Sequence, residues 1–259
     1  MKRIITLLLA TIILMSMNIS AYANSTIDQS IKSNGYDYAL GYGINEGYTI
    51  PTQEQIDAES AKAAEAERYV ALKRKELRGS GGSKTNLVGT FKQSDSNTCG
   101  PASARNAIIG YLAYNDNNYT APSEGDLGDS AYLNTNLSGT DFNASRWGYT
   151  MSYFCPKYAY LLCWGTNNWN SDLQAKVIYT IDRPYNVNVI ANLNHGYTTT
   201  PINPAYTNGI AHYVCVYGYN DNAGVKKYNI CDSKSSVTTK YTTDYLNLAN
   251  STVSRGVIW

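Results

Sequence analysis

Apolar and polar positions divide the chain into a helical first half and a strand-rich end. Between residues 52 and 78, Ile56, Ala63, Val70 and Leu77 recur every seven residues, a thin apolar stripe on one helix face. Thr52 and Gln55 have the form of a capping box at its start. Acids crowd its first half and bases its last turns, which suits the helix macrodipole. So narrow a stripe predicts a helix that docks on a larger body. From Cys99 the run CGPAS leads into Ala104, Ala107, Ile108, Ile109 and Leu112, a buried-helix pattern with Pro101 in its first turn. Residues 124–136 hold a short helical pattern, with Leu127 and Ala131 on one face and Gly125 and Gly128 weakening it. Residues 149–164 fit neither period. Ser171 and Gln174 have capping-box form, and Leu173, Val177, Ile178 and Ile181 give a helix face that ends before Pro184.

The period then drops to two. Residues 185–193 alternate apolar with polar, the mark of a half-buried strand. Residues 210–219 form a second strand, residues 220–224 a turn rich in Asn, Asp and Gly, and residues 225–232 an antiparallel return. A last short strand is expected in residues 254–259.

The segment before the first helix has another character. Lys2 and Arg3, the apolar residues 4–17, and Ala21, Tyr22 and Ala23 make a secretory signal with its cleavage site. The apolar core is shorter than the roughly 18 residues of a spanning helix, so no stable membrane anchor is expected and the protein is placed outside the cell. Residues 24–50 read as extended, with Gly-Tyr pairs at Gly35, Gly41 and Gly47. After the helix, residues 79–83 (GSGGS) read as a flexible linker. Three domains follow: a signal peptide at 1–23, a pro-segment or stalk at 24–84, and a compact domain at 85–259. A pro-segment lying over the active site would, on removal, raise activity. A leader cut after Gly82 is the narrower alternative.

Composition excludes more than it assigns. A net charge of +1 with no basic arm gives nothing for nucleic acid to hold. There are 24 Tyr against 3 Phe, an aromatic class at ease half-buried with its hydroxyl wet. Five cysteines are an odd number for an exported protein, so at least one thiol stays unpaired. Cys155 with Cys163, and Cys215 with Cys231, could pair, or all four could be small buried apolar residues. Asn24, Asn118, Asn136, Asn143 and Asn250 lie in sequons.

Thiol chemistry needs a thiolate, an imidazole to share its proton, a group to orient the imidazole, and donors for an oxyanion. Cys99 at a helix start feels the positive end of the dipole. Of the two histidines, His212 sits at a strand start, whereas His195 lies in a loop and is the lesser candidate base. With an even hairpin register Cys215 faces Cys231, and His212 and Asp232 share the other face one diagonal step apart. Asp232 could then hold the second imidazole nitrogen. Gln93, six residues before Cys99, could donate its amide to the oxyanion beside the Cys99 N–H.

Gln93, the run CGPAS from Cys99, the sequence around His212 and the Ile230, Cys231, Asp232 run together resemble the papain-like superfamily. More narrowly they resemble the bacteriocin-processing peptidases (peptidase family C-39-like) and their secreted relatives, over residues 86–259. The resemblance implies an α+β fold, a nucleophile helix packed on an antiparallel sheet, preceded here by a helical N-terminal appendage. It implies a secreted cysteine peptidase acting on peptide or protein substrates through a Cys99–His212–Asp232 thioester mechanism with Gln93 in the oxyanion hole. No metal and no organic cofactor is expected. Relatives often carry proline after the acid, where this chain has Ser233. The alternatives are a cell-wall amidase or transpeptidase on the same scaffold, and a non-catalytic secreted binding protein.

Overall fold

The computed structural model describes residues 51–79, 81–116, 120–194, 201–206 and 211–259, and these belong to one compact unit. The first helix, α1 (Gln53–Glu76), starts at the expected capping box: Thr52 and Gln55 exchange side-chain bonds with each other's backbone N–H. Then come β1 (Ser83–Thr85), α2 (Cys99–Asn115), α3 (Glu124–Gly128), α4 (Ala144–Phe154), β2 (Leu162–Cys163) and α5 (Trp169–Ile181). The chain ends with β3 (Val189–Asn194), β4 (Ala211–Asn220), β5 (Lys227–Cys231), β6 (Lys240–Asp244), α6 (Tyr245–Thr252) and β7 (Val257–Ile258). The strands form a seven-stranded antiparallel sheet in the order β2-β7-β3-β4-β5-β6, with β1 paired to the C-terminal end of β4.

Each face of this sheet carries its own core. Val189, Ala191, Leu193, Val214, Val216 and Ile230 point to one face, packed under α5 and α6. Ile190, Tyr213, Cys215 and Cys231 point to the other, under α2 and α4. The fold is thus α+β, with the Cys99 helix on an antiparallel sheet.

Two expectations need correction. Residues 81–83 of the GSGGS stretch are no loose linker: Gly81 N–H donates to Asp221 O, Asp221 N–H donates to Gly82 O, and Ser83 already pairs in β1. Helix α1 docks on α5, as its thin stripe predicts; it buries only Ala66 and Val70, so polar contacts carry much of its docking. Ser171 is no cap, because α5 begins at Trp169 after Asn168, and Ser171 Oγ donates to Asn168 O within the first turn. Of the two readings left open for the cysteines, the structure has the second: all five are buried free thiols. The expected extended segment 24–50 and the signal at 1–23 lie outside the described residues.

Candidate active site

Helix α2 opens without a side-chain cap. Thr98, at its N-cap, turns its hydroxyl back to Asp95, donating to the carbonyl and accepting from the N–H, both at 3.1 Å. Pro101 has no N–H to satisfy. Cys99 therefore sits at the positive end of a helix whose first N–H groups have no side-chain acceptor. The rest of the CGPAS run seats that helix. Gly100 lies so close to Thr140 that a Cβ would stand 2.6 Å from the threonine Cβ. Ser103 Oγ donates to Tyr213 O at 2.8 Å, which pins the first turn of α2 to β4 next to His212. Asn106, fully buried in α2, accepts from Phe91 N–H at 2.8 Å and donates to Phe91 O at 3.0 Å. That clamp fixes the loop carrying Gln93.

His212 is the second residue of β4, opposite Leu193 of β3. Its Nε2 meets Asp232 Oδ1 at 2.9 Å, and the Cys99 side chain lies near enough to the imidazole to favour its protonated form. With Nε2 taken by the acid, Nδ1 is the nitrogen left for the sulfur. Both side chains are buried, Cys99 7% and His212 3% exposed. Burial disfavours an imidazolium here, yet the Asp232 hydrogen bond and the Cys99 contact outweigh it and raise His212 to about 9.

Asp232 directly follows β5, where Cys215 and Cys231 stand opposite each other. The carboxylate is fully buried and fully bonded. Oδ1 takes His212 and the Lys234 N–H at 2.9 Å; Oδ2 takes the hydroxyls of Tyr206 at 2.5 Å and Tyr241 at 2.9 Å. Burial pushes its proton affinity up, but the His212 bond and charge, with the Tyr206 and Lys234 donors, hold the group below its ordinary value. Lys92 Nζ braces the turn beyond, donating to the carbonyls of Asp232, Lys234 and Val237.

Gln93 connects the two halves. Its N–H donates to Ser233 O at 2.8 Å, and Ser233 Oγ approaches Gln93 Oε1 at 3.4 Å. The residue that stands in place of proline thus ties the Gln93 loop to the acid. Gln93 Nε2 donates to Asp95 O at 2.7 Å within its own loop, which engages one of its two hydrogens. His195 lies outside the described residues. Tyr206, Tyr241, Lys92 and Asn106 were not singled out from sequence. Only Asn106 left a signal, as a polar residue in an apolar helix. Among the described residues no group of three or more His, Cys, Asp or Glu could hold a metal ion, and no helix is long and apolar enough to cross a membrane.

Imidazole and carboxylate thus form a bonded, buried pair, with the Cys99 thiol beside the imidazole at the positive end of a helix dipole. No protein-family model and no curated protein matches the chain. A solved structure of digestive procathepsin L 3 from the larval midgut of Tenebrio molitor aligns over 95% of this chain and 90% of its own, at 15% identity and a TM-score of 0.47. A likeness that distant carries no argument, and the chemistry rests on the side chains above.

Proposed function

We propose that the chain is a secreted papain-like cysteine peptidase, akin in its motifs to the secreted relatives of the bacteriocin-processing peptidases. The observation that carries this reading is the buried His212–Asp232 pair, bonded at 2.9 Å, with the Cys99 side chain beside the imidazole at the start of α2. Cys99 Sγ passes its proton to His212 Nδ1 and attacks the carbonyl carbon of a peptide bond. The oxyanion that forms takes the Cys99 N–H and the remaining Gln93 amide hydrogen. His212 then gives its proton to the leaving amine, the C–N bond breaks, and a thioester remains on Cys99. A water deprotonated by His212 hydrolyses the thioester and frees the thiol. Asp232 keeps the imidazole aligned throughout and offsets its charge. Residues 1–23 serve export, and with α1 docked on α5 any masking of the site falls to the chain before it.

The test compares wild type with Cys99→Ala on a mixed peptide library, read by mass spectrometry, with casein and purified peptidoglycan as parallel substrates. New peptide termini from wild type alone are expected. Equal cleavage by both proteins sinks the reading, and release from peptidoglycan without peptide cleavage replaces it with a cell-wall amidase.

A further inference from the structure

The proposed chemistry uses one oxygen of Asp232, and the other is held just as firmly. Oδ2 accepts from Tyr206 at 2.5 Å and from Tyr241 at 2.9 Å. The two phenols come from separate elements: Tyr241 from β6, Tyr206 from the described part of the β3–β4 connection. The Tyr206 hydroxyl thereby fastens residues 201–206 to the acid. Ile202 and Tyr206 are themselves buried in the core of that sheet face. The Tyr206 ring lies 5.8 Å from the His212 ring, centroid to centroid.

We propose, resting on the peptidase reading, that Tyr206 and Tyr241 are positioning residues that fix the Asp232 carboxylate and, through it, set the basicity of His212. The choice of donor is the physical argument. An arginine or lysine at Oδ2 would hold the carboxylate as well, but its charge would cancel the one that stabilises the imidazolium. A phenol donates without adding charge. Burial and the neighbouring Asp232 raise the proton affinity of both tyrosines, so each stays a donor across the working range. Two such donors draw charge from the carboxylate and temper its pull on His212. Among the described residues the pair is also faced by Cys99 from α2, Cys231 from β5, the Lys92 ammonium on the Asp232 carbonyl at 3.2 Å, and the Lys234 ammonium 5.4 Å from the Tyr206 ring centre.

The experiment follows the imidazole directly. The chain has two histidines, so nitrogen NMR of the full-length protein shows two imidazoles, and His195→Gln identifies the signal of His212. Tyr206→Phe or Tyr241→Phe should raise its titration midpoint by roughly half a unit, and the double variant by about one, a tenfold gain in proton affinity. The alkaline limb of kcat/KM on peptides should move up with it. A midpoint that stays put or falls in the single variants overturns the proposal, even where the rate drops, since lost packing alone would lower rate without moving the midpoint. Because the tyrosines sit on different elements, a variant that fails to fold leaves the other to decide. If the midpoints rise while wild type cuts no peptide, the positioning role stands and the peptidase reading falls.

Discussion

Two sets of buried acids meet this sheet, and their donors differ in kind. Asp221 is fully buried and holds Arg74 Nε at 3.0 Å together with the Lys226 ammonium. Asp182, at the end of α5, takes the Lys73 ammonium and the hydroxyls of Tyr69 at 2.9 Å and Tyr219 at 2.7 Å. Both acids receive side chains of α1 and fix that helix where its apolar stripe is too thin to do so alone. Among the described residues no lysine or arginine side chain donates a hydrogen bond to the Asp232 carboxylate. It has two phenols, one backbone N–H and an imidazole. Fixed cations suit an acid that only has to hold a helix. A titratable partner with neutral company suits an acid that has to answer a moving proton.

The largest expected effect separates the two sets by what they lose. His212→Ala should cut kcat/KM on peptides by about 10³-fold or more, in the range for loss of a general acid–base. Its cost in stability should shrink as pH rises towards about 9, where the imidazolium contribution fades and Asp232 still keeps the hydroxyls of Tyr206 and Tyr241 and the Lys234 N–H. Thermal unfolding followed by circular dichroism, beside the peptide assay, checks both halves. A collapse in melting temperature with little loss of rate in the folded fraction would make the site another structural cluster.

Asp221→Ala should do the reverse. A wholly buried ion pair that loses one partner costs about 3–5 kcal/mol. Lys226 and Arg74 are 46% and 36% exposed and can turn to water. About 2 kcal/mol is therefore expected from urea unfolding, with the rate per folded molecule unchanged.

The site and its register were unequally legible in the sequence. Cys99 and His212 could be found because a helix start and a strand start leave period and turn signals around them. Asp232 depended on the hairpin, and there the turn misleads. Asn220 pairs with Lys227, and carrying that register straight down the ladder would set Cys215 opposite Asp232. A bulge between Val216 and Gly218 shifts the ladder by one residue, puts Cys215 opposite Cys231, and so turns Asp232 to the face of His212. Gly218 permits it, since a Cβ there would stand 2.6 Å from Asn229 Nδ2 and 2.8 Å from Lys84 O. The even register was therefore reached without the bulge that produces it. Helix α4 stayed hidden because its cap, Asn143, precedes a stretch of aromatic residues split between core and solvent, with Tyr149 and Tyr153 exposed. Tyr206 and Tyr241 could not be picked from 24 tyrosines, since only folding brings them to one oxygen.

The pH dependence sharpens the same contrast by a smaller amount. His212 is raised from 6.5 to about 9, so its contribution to stability is complete below about pH 6.5 and lost as pH climbs through about 9. Asp232 is held below 3.8, so its contribution is present above that value and lost as pH falls through its lower folded one. Peptide cleavage should accordingly fall about tenfold per unit above pH 9, once the imidazolium is gone. His212→Ala should flatten the stability profile between about pH 6.5 and 9, and Asp221→Ala should leave that window as it is. A profile in which both variants lose the same slope would erase the distinction between the two kinds of acid.

The smallest effect bears on what α1 is for. Thr52 accepts the Gln55 N–H at 3.3 Å, and its own N–H donates to Gln55 Oε1 at 3.0 Å. Gln55 Nε2 also donates to Ser145 Oγ of α4, so this cap anchors the helix as well as starting it. Thr52→Ala should cost about 1 kcal/mol, the usual value of a lost N-cap. If α1 is a fastening held by Asp182 and Asp221, loosening its first turn lowers the melting temperature by a few degrees and leaves kcat/KM alone. An inhibitory helix would behave in the opposite way, since fraying it would uncover Cys99 and raise the rate. Peptide cleavage by Thr52→Ala at a temperature well below unfolding decides between them, because α1 meets α5 and not the sulfur.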